Sequence, residues 1–181
     1  MRNDPALQTA VDRMEALASS PTLCRMENRA NKKMIFDANK LMVDKFIESF
    51  STPPAEIILD FDATDDAVHG HQENRHFHGY YDCHCFLPLH VFCGEQLLVS
   101  YLRPSNIDGA KHAWAILVLL VKRIRMSWFN TKIIFRGDSG FCRDRMLRWC
   151  DRHRVTYIVG IAQNNCLNAL SRESQNQAKN I

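Results

Sequence analysis

The stretch that constrains this chain most is EIILDFDATDD, residues 56–66. Ile57, Ile58, Leu59 and Phe61 form a nearly unbroken apolar run, which reads as a buried strand from Ile57 to Phe61. That strand closes on acids. A second apolar run, TKIIFRGDSGF, ends just as abruptly in Arg-Gly-Asp-Ser-Gly at residues 136–140. A carboxylate at the mouth of a buried strand is either a turn residue in solvent or one half of a cation site. The order of the other elements bears on which.

Asp4-Pro5 opens a helix whose face carries Leu7, Ala10, Val11, Met14 and Leu17. Ser20-Pro21 repeats the signal and starts a longer helix reaching Phe46. Residues 51–55 are a proline-containing break. After it come the strand at 57–61, one or two strands in the aromatic-rich HFHGYYDCHCFLPLHVFCG, and another in EQLLVSYLRP. Asn106-Ile107-Asp108 reads as the cap of a helix running to about Met126. TKIIFRG is then a strand, Phe141–Arg152 a short amphipathic helix, and VTYIVGIA a last strand. The expected organisation is an N-terminal helical segment over 1–52, a sheet domain over 53–165 and a polar tail over 166–181. No repeat is present.

Three consecutive strands can pair as an antiparallel meander. The helix that follows permits a parallel crossover, which returns the fourth strand beside the first. Parallel neighbours end on one sheet edge, where ligands of open α/β sheets gather. This arrangement would bring together Asp62, ending the first strand, and Asp138, just past the fourth. Two carboxylates so close repel unless a cation lies between them, and Mg2+ or Mn2+ suits such oxygen ligands. The alternative, that both are turn residues, stays open at this point. Asp60 shares the parity of Asp62 and is a spare candidate.

Charge is uneven rather than large. The net charge is +3. Residues 121–154 carry ten Lys/Arg against three acids, whereas residues 53–75 carry six acids and one arginine. An acidic pocket beside a basic surface suits polyanion chemistry. Lys132, Arg136, Arg143 and Arg145 are the candidate phosphate-binding residues, although a solvated helix face would look the same. Seven cysteines and no secretory signal point to reduced thiols in a cytosol. The longest apolar run, Ala113–Val121, is too short to span a bilayer. His69, His71, His76, His78, Cys83, His84, Cys85, His90 and Cys93 are all possible zinc ligands, but the usual paired spacing is missing, so they read as plain strand residues.

LDFDATDDAVHGHQ, FHGYYDCHCFLPLHVFCG, LLVSYLRPSNID and IIFRGDSGFCRDRMLRWC together resemble the core of insertion-sequence transposases of the DDE type, the thirteen-eighty family. The likeness extends from LASSPTLCRMEN near the start to YIVGIAQNNCL near the end. It implies an α/β fold: a ribonuclease H-like mixed sheet flanked by helices, with an N-terminal helical segment. It also implies Mg2+- or Mn2+-dependent DNA cleavage and strand transfer in the bacterial cytoplasm, at the nucleoid. The implied partners are the element's terminal inverted repeats, target DNA and a second copy of the chain; no membrane is implied. The family's first acid, in an Asp-x-Thr motif, falls on Asp62, and its second, in RGDSGF, on Asp138. SWFN stands where such proteins usually show a tryptophan-proline pair. The family's third acid, a glutamate, lies far downstream on a helix after an inserted region. The resemblance therefore implies that the C-terminal part of the fold is missing and that this truncated chain is inactive alone; Glu173, 35 residues past Asp138 as in other DDE enzymes, is not read as the replacement because its surroundings, ALSRESQNQAKN, lack a strong apolar face. The alternative is a catalytically dead fragment that binds DNA or regulates. Without the glutamate helix, the last strand should also lie partly uncovered.

Overall fold

The computed structural model describes residues 2–179, apart from the side chains of Glu173 and Lys179. Two compact units are present, Met1–Lys40 and Leu41–Ile181.

In the first unit, α1 (Pro5–Ala10) is short. Asp4 caps it, its Oδ1 accepting from the amides of Ala6 at 2.9 Å and Leu7 at 3.2 Å. The helix stops at Val11, and Asp12 takes a left-handed φ of 52°, so the apolar positions at Met14 and Leu17 lie beyond it. α2 spans Ser20–Glu27 and α3 spans Lys32–Glu48. The single helix expected from Ser20 is therefore two, because Asn31 starts a new one by accepting the amide of Met34 at 3.0 Å. α3 runs from the first unit into the second.

The second unit is built on β1 (Glu56–Ala63), β5 (Leu89–Cys93), β6 (Gln96–Tyr101), β7 (Lys132–Gly137) and β8 (Thr156–Val159), in the order β6-β5-β1-β7-β8. β1 is antiparallel to β5, and β5 to β6; β7 is parallel to β1, and β8 to β7. α4 (Ala113–Ser127) makes the crossover between β6 and β7, and α5 (Asp144–Arg152) the one between β7 and β8. This is the ribonuclease H-like mixed sheet flanked by helices that the resemblance implied.

Alternate residues of β1 turn to the core. Ile57, Leu59 and Phe61 are buried with Ile133 and Phe135 of β7, and the rings of Phe61 and Phe135 meet edge-on at 5.1 Å. α3 adds Val43, Phe46 and Ile47, α4 adds Leu117, Leu120, Val121 and Ile124, and α5 adds Met146 and Cys150.

The aromatic-rich segment is more divided than its composition suggested. β3 (His76–His78) and β4 (Cys83–Phe86) pair with the two-residue β2 (Asp66–Ala67) in a separate small sheet, and only β5 joins the main one. α4 starts at Ala113, not at Asn106. Asp108 caps a local turn instead, its Oδ1 accepting the amide of Ala110 at 2.8 Å. Arg103 holds this loop in place. It is 2% exposed and donates to the carbonyls of Leu87 at 2.8 Å, Gly109 at 3.0 Å and Lys111 at 2.7 Å. Burial pulls the Arg103 guanidinium below its ordinary pKa.

The segment read as a polar tail over 166–181 lies, as far as it is described, in α6 (Asn165–Lys179), with Asn164 accepting the amide of Leu167 at 2.9 Å. The side chain of Glu173 lies outside the described residues. On the last strand, Tyr157 is 37% and Ile158 56% exposed, and Ile161 beyond it is 66% exposed. No described helix is long and apolar enough to cross a membrane.

Candidate metal and phosphate site

The parallel register of β1 and β7 ends with Phe61 opposite Gly137. Asp62 and Asp138 are the next residues on each strand. Neighbouring strands lie about 4.8 Å apart. Strand parity puts Asp62 with Asp60, opposite the buried Phe61. Both acids are exposed. Asp138 keeps an extended backbone and caps the 3-10 turn Ser139–Phe141, its Oδ1 accepting the Gly140 amide at 2.8 Å.

On its other side Asp62 is paired with His90 of β5, and His90 in turn with Ser100 of β6. Paired residues share a sheet face. One row therefore crosses three strands, Ser100, His90 and Asp62, and Asp138 follows directly after the end of β7. The row behind it is Phe92, Asp60, Arg136 and Ile158.

Tyr81 reaches the same edge from the loop between β3 and β4. Its hydroxyl donates to the Ala63 carbonyl at 3.3 Å. Burial raises its pKa first, and the charges of Asp65, Asp62 and Asp138 add to the rise. The phenol thus stays protonated beside three carboxylates. Neither Tyr81 nor His90 stands out in the sequence as part of an acid site; only the strand register and the loop place them there.

Two carboxylates plus water molecules fit the oxygen-rich, partly hydrated shell that Mg2+ prefers. Among the described residues, no group of three His, Cys, Asp or Glu side chains is disposed to hold a metal ion.

The four candidate phosphate-binding cations each have a partner. Arg136 forks onto Asp60, with Nη2 at 2.6 Å from Oδ2. Arg143 meets Asp108 at 2.7 Å, joining the start of α5 to the loop that Arg103 holds. Arg145 lies over the Trp114 ring at 4.0 Å. Lys132 meets Glu56 at 2.7 Å. It opens β7, six residues before Asp138, on the order of 20 Å along the strand from the acids. The side chains in these ion pairs are largely exposed except for Asp60, and exposed pairs of this kind contribute ~0–1 kcal/mol, so a phosphate can displace them.

The family model for the transposase DDE domain, group 1, matches residues 1–181. The chain belongs to this family. No protein of curated function matches this transposase-domain chain significantly. Among solved structures, it is similar to the piggyBac transposase in a synaptic complex with hairpin DNA, at 15% identity and a TM-score of 0.43, over 81% of this chain and 30% of that one. It is also similar to the catalytic domain of the Mos1 mariner transposase, at 10% identity and a TM-score of 0.43, over 75% of this chain and 65% of that one. The transposase-domain chain thus spans less than two thirds of either.

Proposed function

We propose that the chain is part of an insertion-sequence transposase whose action on DNA runs through a divalent ion shared by Asp62 and Asp138. The observation that supports this reading is the parallel β1–β7 register, whose last pair, Phe61 and Gly137, immediately precedes the two acids. Asp62 and Asp138 would hold Mg2+ or Mn2+, which when bound would polarise a phosphodiester and lower the pKa of a bound water. The Gly140 amide orients the Asp138 carboxylate. Tyr81 offers a protonated hydroxyl at the rim, and Arg143 and Arg145 a cationic approach for the backbone of the element's ends and the target. Lys132 and Arg136 extend that approach along the strand.

A second reading, a DNA-binding or regulatory fragment without catalysis, is supported by the excess of ten Lys/Arg over three acids in residues 121–154. A strand-transfer assay with matched terminal-repeat DNA and Mg2+ separates the two. Activity lost on Asp62→Asn and Asp138→Asn supports the enzyme; Mn2+-independent, salt-sensitive binding without cleavage supports the binding fragment. Charge reversal at Arg143 and Arg145 should weaken duplex binding more than reversal at Arg13 and Arg29. No duplex retention at low salt, or retention unchanged by salt, would exclude both readings.

A further inference from the structure

We infer that His90 is a substrate-contacting residue of the site at Asp62 and Asp138, binding an oxygen of a phosphodiester held there. The inference rests on the reading that the two acids share a divalent ion.

His90 is the direct cross-strand partner of Asp62. Opposed side chains on one sheet face have Cβ atoms roughly 4.5–5.5 Å apart. An imidazole there stands over the same ground as the carboxylate, with Asp138 on the far side of Asp62. Ser100, His90 and Asp62 therefore form one polar row across three strands, and Asp138 follows the end of the neighbouring β7. The row behind it is capped at both ends by apolar side chains, Phe92 and Ile158.

The ring's hydrogen bonding points the same way. His90 Nδ1 is buried and has no hydrogen-bond partner. Buried polar atoms are seldom left so, and an orphan of this kind calls for an explanation. The ring also packs near Phe92, centroids 6.2 Å apart, so its setting is partly apolar. With Nδ1 sealed, the ring has only its second nitrogen left for outside contact. Nε2 is then the atom that can meet a ligand. A protonated Nε2 there can donate to a phosphate oxygen held beside Asp62.

The class of ligand follows from the row. Acids at one end select a cation, and a ring N–H donor one strand away selects an oxygen bridging from it. A phosphodiester carries both a metal-binding and a hydrogen-bonding oxygen.

The test is calorimetric titration of the full 181-residue chain, first with Mn2+ and then with a dinucleotide phosphodiester in saturating Mn2+. His90→Gln and His90→Asn should leave Mn2+ affinity within about twofold and weaken the dinucleotide roughly tenfold, the scale of one hydrogen bond. His84→Gln, on the small sheet, should change neither. A wild-type chain that binds both probes while neither His90 variant alters dinucleotide affinity overturns this inference alone. So does a parallel loss of Mn2+ affinity in both variants, which would make His90 a metal ligand or a structural residue. Wild-type binding of Mn2+ without the dinucleotide also overturns it. A wild-type chain that takes up no Mn2+ overturns the shared-ion reading beneath it, and the inference with it.

Discussion

The amide of Gly140 donates to Oδ1 of Asp138 at 2.8 Å, and a methyl group built on Gly140 would stand 2.9 Å from that same oxygen. The glycine is thus a hydrogen-bond donor whose missing side chain leaves room for the carboxylate it orients. Gly140→Ala should turn the carboxylate away and reduce Mn2+ affinity by ~10–100-fold, the usual effect of losing a partner that orients a metal ligand. Titration calorimetry measures the affinity. Unchanged Mn2+ binding would show that the carboxylate's orientation is irrelevant.

Asp60 and Arg136 occupy each other on the same face. Asp60→Asn should change stability by no more than about 1 kcal/mol, because the pair is half in solvent. It should also free Arg136 and strengthen duplex binding at low salt. Denaturant unfolding and salt-dependent retention on duplex DNA check the two halves. Loss of Mn2+ binding in Asp60→Asn would instead make Asp60 a ligand.

Phe135 is fully buried and meets Phe61 edge-on beneath the site. Phe135→Ala should cost ~3–5 kcal/mol in denaturant unfolding. Ile158→Thr, on the exposed face of β8, should stay within about 0.5 kcal/mol. Equal costs at the two positions would contradict the assignment of core and open faces.

Burial pushes the Cys150 thiol up to about 11 from an ordinary 9.0, with Asp151 adding to the rise. The folded state therefore favours the protonated thiol. Its contribution is complete below pH 9 and is lost as pH rises from about 9 to 11, on the order of 2 kcal/mol in all. The difference in unfolding free energy between wild type and Cys150→Ala, measured across that window, should narrow as pH rises. A difference constant with pH would show that Cys150 ionises equally in both states.

The main sheet was legible because its strands are long apolar runs in an order that few topologies accommodate. Ile57–Phe61 and Lys132–Gly137 announce themselves, and the crossover helix makes them neighbours. The start of α4 was misread because Asp108 is a sound cap taken locally. It caps a turn instead, and Arg103, which also donates to the carbonyl of Leu87, ties down the carbonyls of Gly109 and Lys111 in that loop. The small sheet escaped notice because two- to four-residue strands carry too little periodicity. In the site, Asp62 and Asp138 could be named from their positions at strand ends. His90 and Tyr81 could not, since one depends on antiparallel register and the other on a loop bending back to the Ala63 carbonyl. The partners of Arg136 and Arg143 lie 76 and 35 residues away in the chain and leave no local signal.

The central pairing of the sheet carries a kinetic consequence. β1 and β7 meet with Asp60 opposite Arg136, across 76 residues of intervening chain. Closing so long a loop is entropically expensive and slow compared with forming the β5–β6 hairpin, whose strands are joined by a short turn. The hairpin should therefore form early and the β1–β7 seam late. A nascent chain has no paired acids until residues beyond 138 have emerged and docked, so uptake of Mn2+ during refolding would report the last stage of assembly.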